Sequence, residues 1–269
     1  MKLTQEEFSY VKALAYSQFG IHLTDGKKSL IESRFSNIIS TKGYTTFMQY
    51  FKNLEQDRSG DEMNEFINRL TTNHTYFFRE EKHFDFLREE LLPELLKKEA
   101  SSRDLRIWSA GCSSGEEAFT LAMIIDEMLG EKKKFWDTTI LATDISHRVL
   151  EKANRGLYPK EELEKISSKY AQKYFVPKGQ QYEVTPDLKK EVVFRKFNLT
   201  HTFNFKKPFH IIFCRNVLIY FDKASKDNVL KKFYQSLAPG GYLFIGHSET
   251  METSHSGFKF VRPSIYVKE

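Results

Sequence analysis

Cysteine is nearly absent from this chain. Cys112 and Cys214 are its only two, with no CxxC spacing and no His or Cys partner at metal-ligand intervals, so neither a disulfide framework nor a zinc site is indicated. Both thiols are expected to be reduced. Long apolar runs are missing as well: FHIIFC at 209–214 is among the longest, far short of the ~18 residues that would point to a membrane span. The opening residues MKLTQEEF lack the apolar segment of a signal peptide. No membrane insertion and a cytoplasmic location are therefore expected. There is no internal repeat and no low-complexity segment, and charge of neither sign dominates, the net value being +5 over 269 residues.

What is present describes a globular protein with a real core. Hydrophobic residues make up 40% and charged residues 29%, ordinary values for a folded chain long enough for two domains or one large one. Residues 1–72 hold nine Lys or Arg against nine Asp or Glu, so the excess of positive charge lies beyond them. Within that stretch, however, Lys27, Lys28, Arg34, Lys42 and Lys52 face only Glu32 across 26–52, which makes a local basic face or a simple solvated helix surface.

The apolar spacing divides the chain in two. Residues 4–70 read as helices: Thr4 and Glu7 form a capping-box pattern before Phe8, Val11, Leu14 and Phe19, and Leu30, Ile31, Phe35, Ile38 and Ile39 repeat at helical spacing. A third helix fits 46–54, and a fourth is capped at Ser59 with Glu62. The domain limits expected are 1–72 for these helices, 73–103 for a linker and an amphipathic helix from Glu80 to Lys98, and 104–269 for an α/β domain. In the last, DLRIWSA, TTILATD, VVFRKFN, FHIIFCR and GYLFIGH alternate with helices, the pattern of a parallel sheet. The less regular section 157–191 includes YFVPKGQQYEV, two short strands about a Lys178-Gly179 turn, and a small β insertion is placed at about 170–196.

Ligands of such sheets bind beyond the carboxyl ends of the strands, and those ends carry unusual residues here. The first runs into SAGCSSGEEA, where small residues permit close approach to the backbone and Glu116 and Glu117 open a helix. A helix N-terminus attracts anions, so two glutamates there disfavour a pyrophosphate and favour a cationic group, unless they serve only as capping residues. Asp144 ends the second strand, where a carboxylate can accept from two adjacent ribose hydroxyls; a helix cap before Ser146 is the alternative. Asn198 follows the third, and Arg215 and Asn216 follow a wholly apolar fourth, with Tyr220 one helical turn on. The stretch TTNHTYFFREEKHF at 71–84 sets three aromatics directly before Arg79; Tyr76, Phe77 and Phe78 cannot all face one core, so at least one meets solvent or a ligand.

Together TYFFRE, WSAGCSSGEE, ATDIS, CRNVLIYFD and GHSE resemble the successive motifs of the chemotaxis receptor methyltransferases, the CheR family. The resemblance covers nearly the whole chain. It implies a class I S-adenosylmethionine (SAM)-dependent methyltransferase fold: a Rossmann-like α/β sheet of seven strands preceded by a helical domain and interrupted by a small β subdomain. It implies protein-glutamate O-methylation of the cytoplasmic helical region of chemoreceptors, with SAM as cofactor and S-adenosylhomocysteine as product, by a monomer. Carried over by position, Asn73, Thr75 and Arg79 reach the cofactor from the linker. Glu117 faces its methionyl amino end, Asp144 holds the ribose, and Asn198, Leu199, Arg215 and Asn216 line the adenosine side. Arg79 and Tyr220 match the positions that act on the acceptor, and Lys27, Lys28, Arg34 and Lys42 form the face expected to meet the receptor. The insertion is a few residues shorter than in members that dock a receptor's C-terminal pentapeptide, so that tether is not carried over.

The chemistry is self-consistent. A glutamate, with a pKa of ~4.3, is anionic at neutral pH and needs no general base; it needs placement and exclusion of water, which would stabilise the separated charges. Arg79 can hold one carboxylate oxygen while the other meets the methyl group, or it can simply pair with Glu80 or Glu81 on a helix surface. An acceptor on another signalling protein, or a non-catalytic SAM or S-adenosylhomocysteine sensor, are the rival readings. A nucleic-acid acceptor is disfavoured: NVLIY stands where an amino-methyltransferase would carry an NPPY-like motif.

Overall fold

Thr4 sets where the first helix begins. In the computed structural model, which describes residues 1–57, 59–252 and 257–269, the Thr4 hydroxyl accepts from the Glu7 N–H at 3.2 Å and the Glu7 carboxylate accepts from the Thr4 N–H at 2.9 Å. This is the reciprocal cap that the spacing predicts. It opens α1 (Gln5–Phe19), followed by α2 (Lys28–Thr41), α3 (Phe47–Gln56) and α4 (Asp61–Leu70). The second oxygen of Glu7 accepts from Met48 N at 3.0 Å and so ties α1 to the start of α3. Burial pushes the Glu7 carboxyl up, but the N–H donors of Thr4 and Met48 outweigh it and hold the group below the usual carboxylate range. Phe35 of α2 centres the core, its ring 5.3–6.2 Å from those of Tyr50, Phe51 and Phe66.

The structure adds to two expectations for these helices. Ser59 shares the start of α4 with Asp57: the Ser59 hydroxyl accepts from Asp61 N at 3.1 Å and Asp57 Oδ2 from Glu62 N at 2.8 Å, while Gly60, at φ 78°, takes the left-handed position before the helix. Arg34 is not free to meet a partner. Its guanidinium donates to the carbonyls of Leu70 at 2.7 Å and Arg69 at 3.1 Å and to the Thr72 hydroxyl at 2.6 Å, closing the end of α4. These helices form one compact unit, Met1–Thr72, together with a segment that the sequence does not mark as theirs, Ile219–Lys226. Phe221 bridges Ile21 in antiparallel fashion, the Tyr220 carbonyl accepts from His22 N at 2.8 Å, and the Tyr220 hydroxyl donates to the Thr72 carbonyl at 3.1 Å.

The second unit comprises Asn73–Leu218 and Asp227–Glu269. It opens with a turn in which Phe78 and Glu80 hold left-handed backbone, φ 58° and 60°, so the helix expected from Glu80 begins later. That helix is α5 (Lys82–Phe86) and α6 (Leu92–Lys98), joined by a π-helical stretch, Leu87–Leu91. There follow β1 (Ile107–Ala110), α7 (Glu116–Leu129), β2 (Ile140–Asp144), α8 (His147–Arg155), β3 (Leu157–Pro159), α9 (Lys160–Leu163), α10 (Ser168–Tyr174), β4 (Phe175–Lys178), β5 (Gln181–Val184), α11 (Pro186–Lys189), β6 (Val192–Lys196), β7 (Phe209–Cys214), α12 (Lys223–Ser236), β8 (Leu237–Ile245), β9 (Phe258–Arg262) and β10 (Ile265–Lys268). The main sheet has the order β6-β2-β1-β7-β8-β10-β9. Its first five strands are parallel, and β10 runs antiparallel to both β8 and β9. Trp108 of β1 is fully buried among Phe197, Phe205, Phe209 and Phe233, with its indole N–H on the Thr143 hydroxyl at 2.9 Å.

The insertion is a separate three-stranded sheet, β3-β5-β4. It differs from the stretch 170–196 at both ends. Leu157–Pro159 pairs with β5 and brings the start forward, whereas Val192–Lys196 pairs in register with Ile140–Asp144 of the main sheet. The alternation of Val192 and Phe194 serves a buried strand of the large sheet, not the small one. No helix among the described residues is long and apolar enough to cross a membrane.

Arg34→Ala should lower the stability of the protein by about 1.5–3 kcal/mol, the range for losing hydrogen bonds made by a charged group. Urea unfolding checks it; a midpoint unchanged from wild type would show that the α4 carbonyls are served equally well by water.

Candidate functional site

The strand order reverses between β1 and β7, and the loops leaving their carboxyl ends carry the chemistry. The loop after β1 is held from below: Gly111 N and Cys112 N both donate to the Thr143 carbonyl, at 2.7 and 2.9 Å. Gly111 has φ 88°, and a Cβ there would come within 2.3 Å of a Val217 methyl group, so only glycine lets the β1 and β7 loops approach this closely. Gly115, at φ 97°, leads into α7 against Ala153 and the Tyr158 hydroxyl.

Asp144 bridges the first two loops. Its Oδ2 accepts from Ser113 N and its Oδ1 from Ser146 N, each at 2.9 Å. Burial pushes its pKa up while these N–H groups draw it down, the net direction being upward. These bonds match the capping alternative: Asp144 orders the turn into α8 and at the same time fixes the loop after β1. The loop after β6 joins them, because Phe197 N donates to the Asp144 carbonyl at 3.0 Å. Asn198 follows directly; its Oδ1 accepts from the N–H and hydroxyl of Thr200. Leu199 is buried beneath, and its carbonyl accepts from Lys232 at 2.9 Å.

Glu116 and Glu117 play different parts. Glu116 is buried and accepts from the Ser114 hydroxyl at 2.7 Å, with the Lys152 ammonium 3.7 Å away. Burial pushes its pKa up to about 7, against the pull of Ser114 and Lys152. Glu117 accepts from the Ser109 hydroxyl at 2.6 Å and from Arg215 Nε at 2.8 Å. Arg215 is itself buried: its guanidinium lies over the Phe84 and Phe213 rings, donates to His83 Nδ1 at 3.1 Å and stands 3.5 Å from Glu80 Oε2. Its side chain is therefore spent on orienting Glu117, and the adenosine-side contact expected of residue 215 is not made by a free guanidinium. Asn216 takes left-handed backbone at φ 59°. Its N–H donates to Glu249 Oε2 at 3.0 Å and its side-chain amide to Glu80 Oε1 at 3.3 Å.

The TYFFRE turn joins the same system. Phe77 is buried edge-on against Tyr158 and Phe175, Phe78 packs on Phe84 and Tyr170, and Tyr76 stays half exposed under the Lys165 ammonium. Asn73 meets the β1 loop, its carbonyl accepting from the Ser113 hydroxyl at 3.4 Å. Thr75 is half buried between them. Arg79 donates to the His74 carbonyl at 2.6 Å. It pairs with neither Glu80 nor Glu81, and among the described residues no carboxylate holds it. Tyr220 belongs to the first unit and is described there.

Sequence reasoning missed the acids that organise this end of the sheet. Glu80 was a rival partner for Arg79, and Glu249 only a letter of GHSE; their partners lie 136 and 33 residues away. Glu80, His83 and His247 bring possible metal-ligand atoms within 4.8 Å of one another. Arg215 already contacts two of the three, though, and a guanidinium against the same atoms opposes a metal ion there. Burial, Arg215 and His247 hold His83 down at about 3, so a neutral ring offers Arg215 its lone pair.

A parallel sheet of this order, with a close-approach glycine at the first strand end, carboxylates rather than phosphate-binding groups at the helix start and a buried aspartate at the second, defines a class I SAM-dependent methyltransferase. Acids without a phosphate cradle fit a cofactor that is cationic and carries no phosphate. Residues 73–267 match the CheR methyltransferase SAM binding domain and residues 6–71 the CheR methyltransferase all-alpha domain, and the chain belongs to that family. It is 42% identical to a chemotaxis protein methyltransferase of Borreliella burgdorferi, over 100% of this chain and 96% of that one. Identity is 36% to a chemotaxis protein methyltransferase of Listeria monocytogenes, over 98% of each chain, and 35% to one of Escherichia coli, over 99% of this chain and 92% of that one.

Asp144→Asn should weaken S-adenosylhomocysteine binding by about 1–3 kcal/mol, because an amide cannot accept from both loop N–H groups and a ligand hydroxyl at once. Titration calorimetry on the folded variant checks this; unchanged affinity would remove Asp144 from the cofactor site.

Proposed function

We propose that this methyltransferase modifies glutamate side chains in the cytoplasmic helical region of chemoreceptors, forming methyl esters. The observation that carries the reading is Arg79: a guanidinium presented by a firmly packed turn, with no carboxylate of its own among the described residues, beside acids that suit a cationic cofactor. Membership of the family, and relatives named chemotaxis protein methyltransferases, supply the substrate class.

SAM, when bound, supplies a methyl group already activated on a sulfonium. We assign Asp144, Asn198, Leu199 and Asn216, which follow or end the strands, to its adenosine side, Glu117 to its ammonium end, and Asn73 and Thr75 to the face nearest the linker. Arg79 receives the acceptor carboxylate in its planar fork and leaves the second oxygen free to react. No proton has to be removed from a carboxylate at neutral pH, so the turn need provide only orientation and dryness. Tyr76 and Phe78, both partly exposed, provide the apolar wall, and the buried Phe77 anchors it. Tyr220 is assigned to the acceptor by its place in the family motif; in this structure its hydroxyl is engaged with the Thr72 carbonyl. We assign receptor contact to Lys27 and Lys28, since Arg34 closes α4 and Lys42 is paired with Glu62. Lys27 is exposed, and among the described residues Lys28 is bonded to the neutral amide of Gln5, at 3.3 Å.

Transfer of labelled methyl from SAM to receptor-containing membranes, released by base as volatile methanol, tests the assignment; a base-stable product would overturn it in favour of N-methylation. Arg79→Ala should lower the single-turnover rate at saturating SAM by ~10²-fold, about 2.7 kcal/mol, with Arg79→Lys a poor rescue because a point charge lacks the fork. Tyr220→Phe should cost roughly tenfold. If SAM affinity collapses instead while turnover survives, Arg79 holds the cofactor carboxylate and not the acceptor. Lys27→Glu with Lys28→Glu should raise the KM for receptor and leave SAM affinity alone, an effect that shrinks as salt screens it. An unchanged KM at low salt would count against this face.

A further inference from the structure

We propose that Glu80 is a positioning residue that sets the direction of Arg79, an inference that rests on the acceptor-binding reading of Arg79 given above. Glu80 occupies left-handed backbone, φ 60°, which a long side chain rarely adopts unless its surroundings hold it there. Its carboxylate supplies that hold. Oε1 accepts from His247 N at 3.2 Å and from the Asn216 side-chain amide at 3.3 Å, while Oε2 stands 3.5 Å from the Arg215 guanidinium. One side chain therefore grips the loops after β7 and β8, and its own backbone is the residue next to Arg79.

The other side of Arg79 is anchored independently. Phe77 is 1% exposed, and Phe78 N donates to the Thr120 hydroxyl on α7 at 3.3 Å. Between these two fixed points stands Arg79, its Nη1 donating to the His74 carbonyl. The charge on Glu80 matters as well as its length. A glutamine at 80 can turn its oxygen toward His247 and Asn216 only by setting its NH2 against the Arg215 guanidinium, donor against donor. Glu249 fixes the far side of the grip, accepting from Gly246 N at 2.6 Å and Asn216 N at 3.0 Å, so the loops that Glu80 holds are themselves tied together.

The test compares wild type, Glu80→Gln, Glu80→Asn, Arg79→Ala and the double variant Arg79→Ala/Glu80→Gln. Asparagine tolerates the left-handed backbone but is too short to reach the loops, so it keeps the fold while breaking the grip. Glu80→Gln should lower the single-turnover rate at saturating SAM about tenfold, a larger loss than the one in S-adenosylhomocysteine affinity that follows from loosening Asn216, and Glu80→Asn should lower the rate further. The double variant should be no slower than Arg79→Ala alone, since a residue that acts through Arg79 has nothing left to position. Multiplying losses, or a Glu80→Gln rate within about twofold of wild type, would overturn the proposal. Amide hydrogen exchange reads the same grip without any acceptor: in Glu80→Gln, residues 76–82 and His247 should exchange faster while the sheet does not, and unchanged exchange there would also overturn it. A wild-type protein that esterifies no receptor would instead overturn the proposed function, a failure visible before any substitution and separate from the exchange result.

Discussion

The buried guanidinium of Arg215 is the interaction on which the carboxyl end of the sheet depends. Taking a charge of this kind out of water costs several kcal/mol, and the cost is recovered only where partners meet it with good geometry. Here the partners are Glu117 from α7, Glu80 from the linker turn and the neutral ring of His83 from α5, with the faces of Phe84 and Phe213 against the guanidinium. An ammonium could not serve all of them, since it lacks both the planar fork and the flat faces that pack on rings. Once Arg215 is buried, the turn, two helices and a strand end have to converge.

That convergence says little about stability by itself. A buried ion pair often does no better than well-packed apolar residues of the same volume, although removing one partner alone is costly. Its value here is one of register. Glu117 is held by Ser109 below and Arg215 above, and Asn216 is held by Glu249 through its backbone and by Glu80 through its amide. Glu117 at a helix start and Asn216 just past a strand end are therefore fixed from two sides each, and Glu80 in the linker turn is held by the same network.

Much of this was legible in the chain because it is local. The Thr4 cap is decided within three residues of itself, the helix 116–129 by its apolar period, and Asp144 by its place at the tip of an apolar strand. What was not legible depends on partners far away in sequence. Arg34 looks like one cation of a surface patch because the carbonyls it closes lie 35 and 36 residues further on. Glu80 and Glu81 look like partners for Arg79 because they adjoin it, and only the left-handed turn sends Glu80 elsewhere. Val192–Lys196 could be counted with the insertion because strand pattern alone does not say which sheet a strand will join.

The first unit also has a piece that arrives late. Ile219–Lys226 packs with Met1–Thr72 although the whole nucleotide-type sheet up to β7 lies between them in the chain. A fragment cut at residue 72 would contain every residue of α1 to α4 and yet leave the N–H of His22 and the carbonyl of Thr72 without Tyr220. The helical domain is therefore not a detachable cassette. Whatever it does in partner choice, the chain returns to it after β7, and exchange of such domains between relatives requires three splice points, after residues 72, 218 and 226, not one.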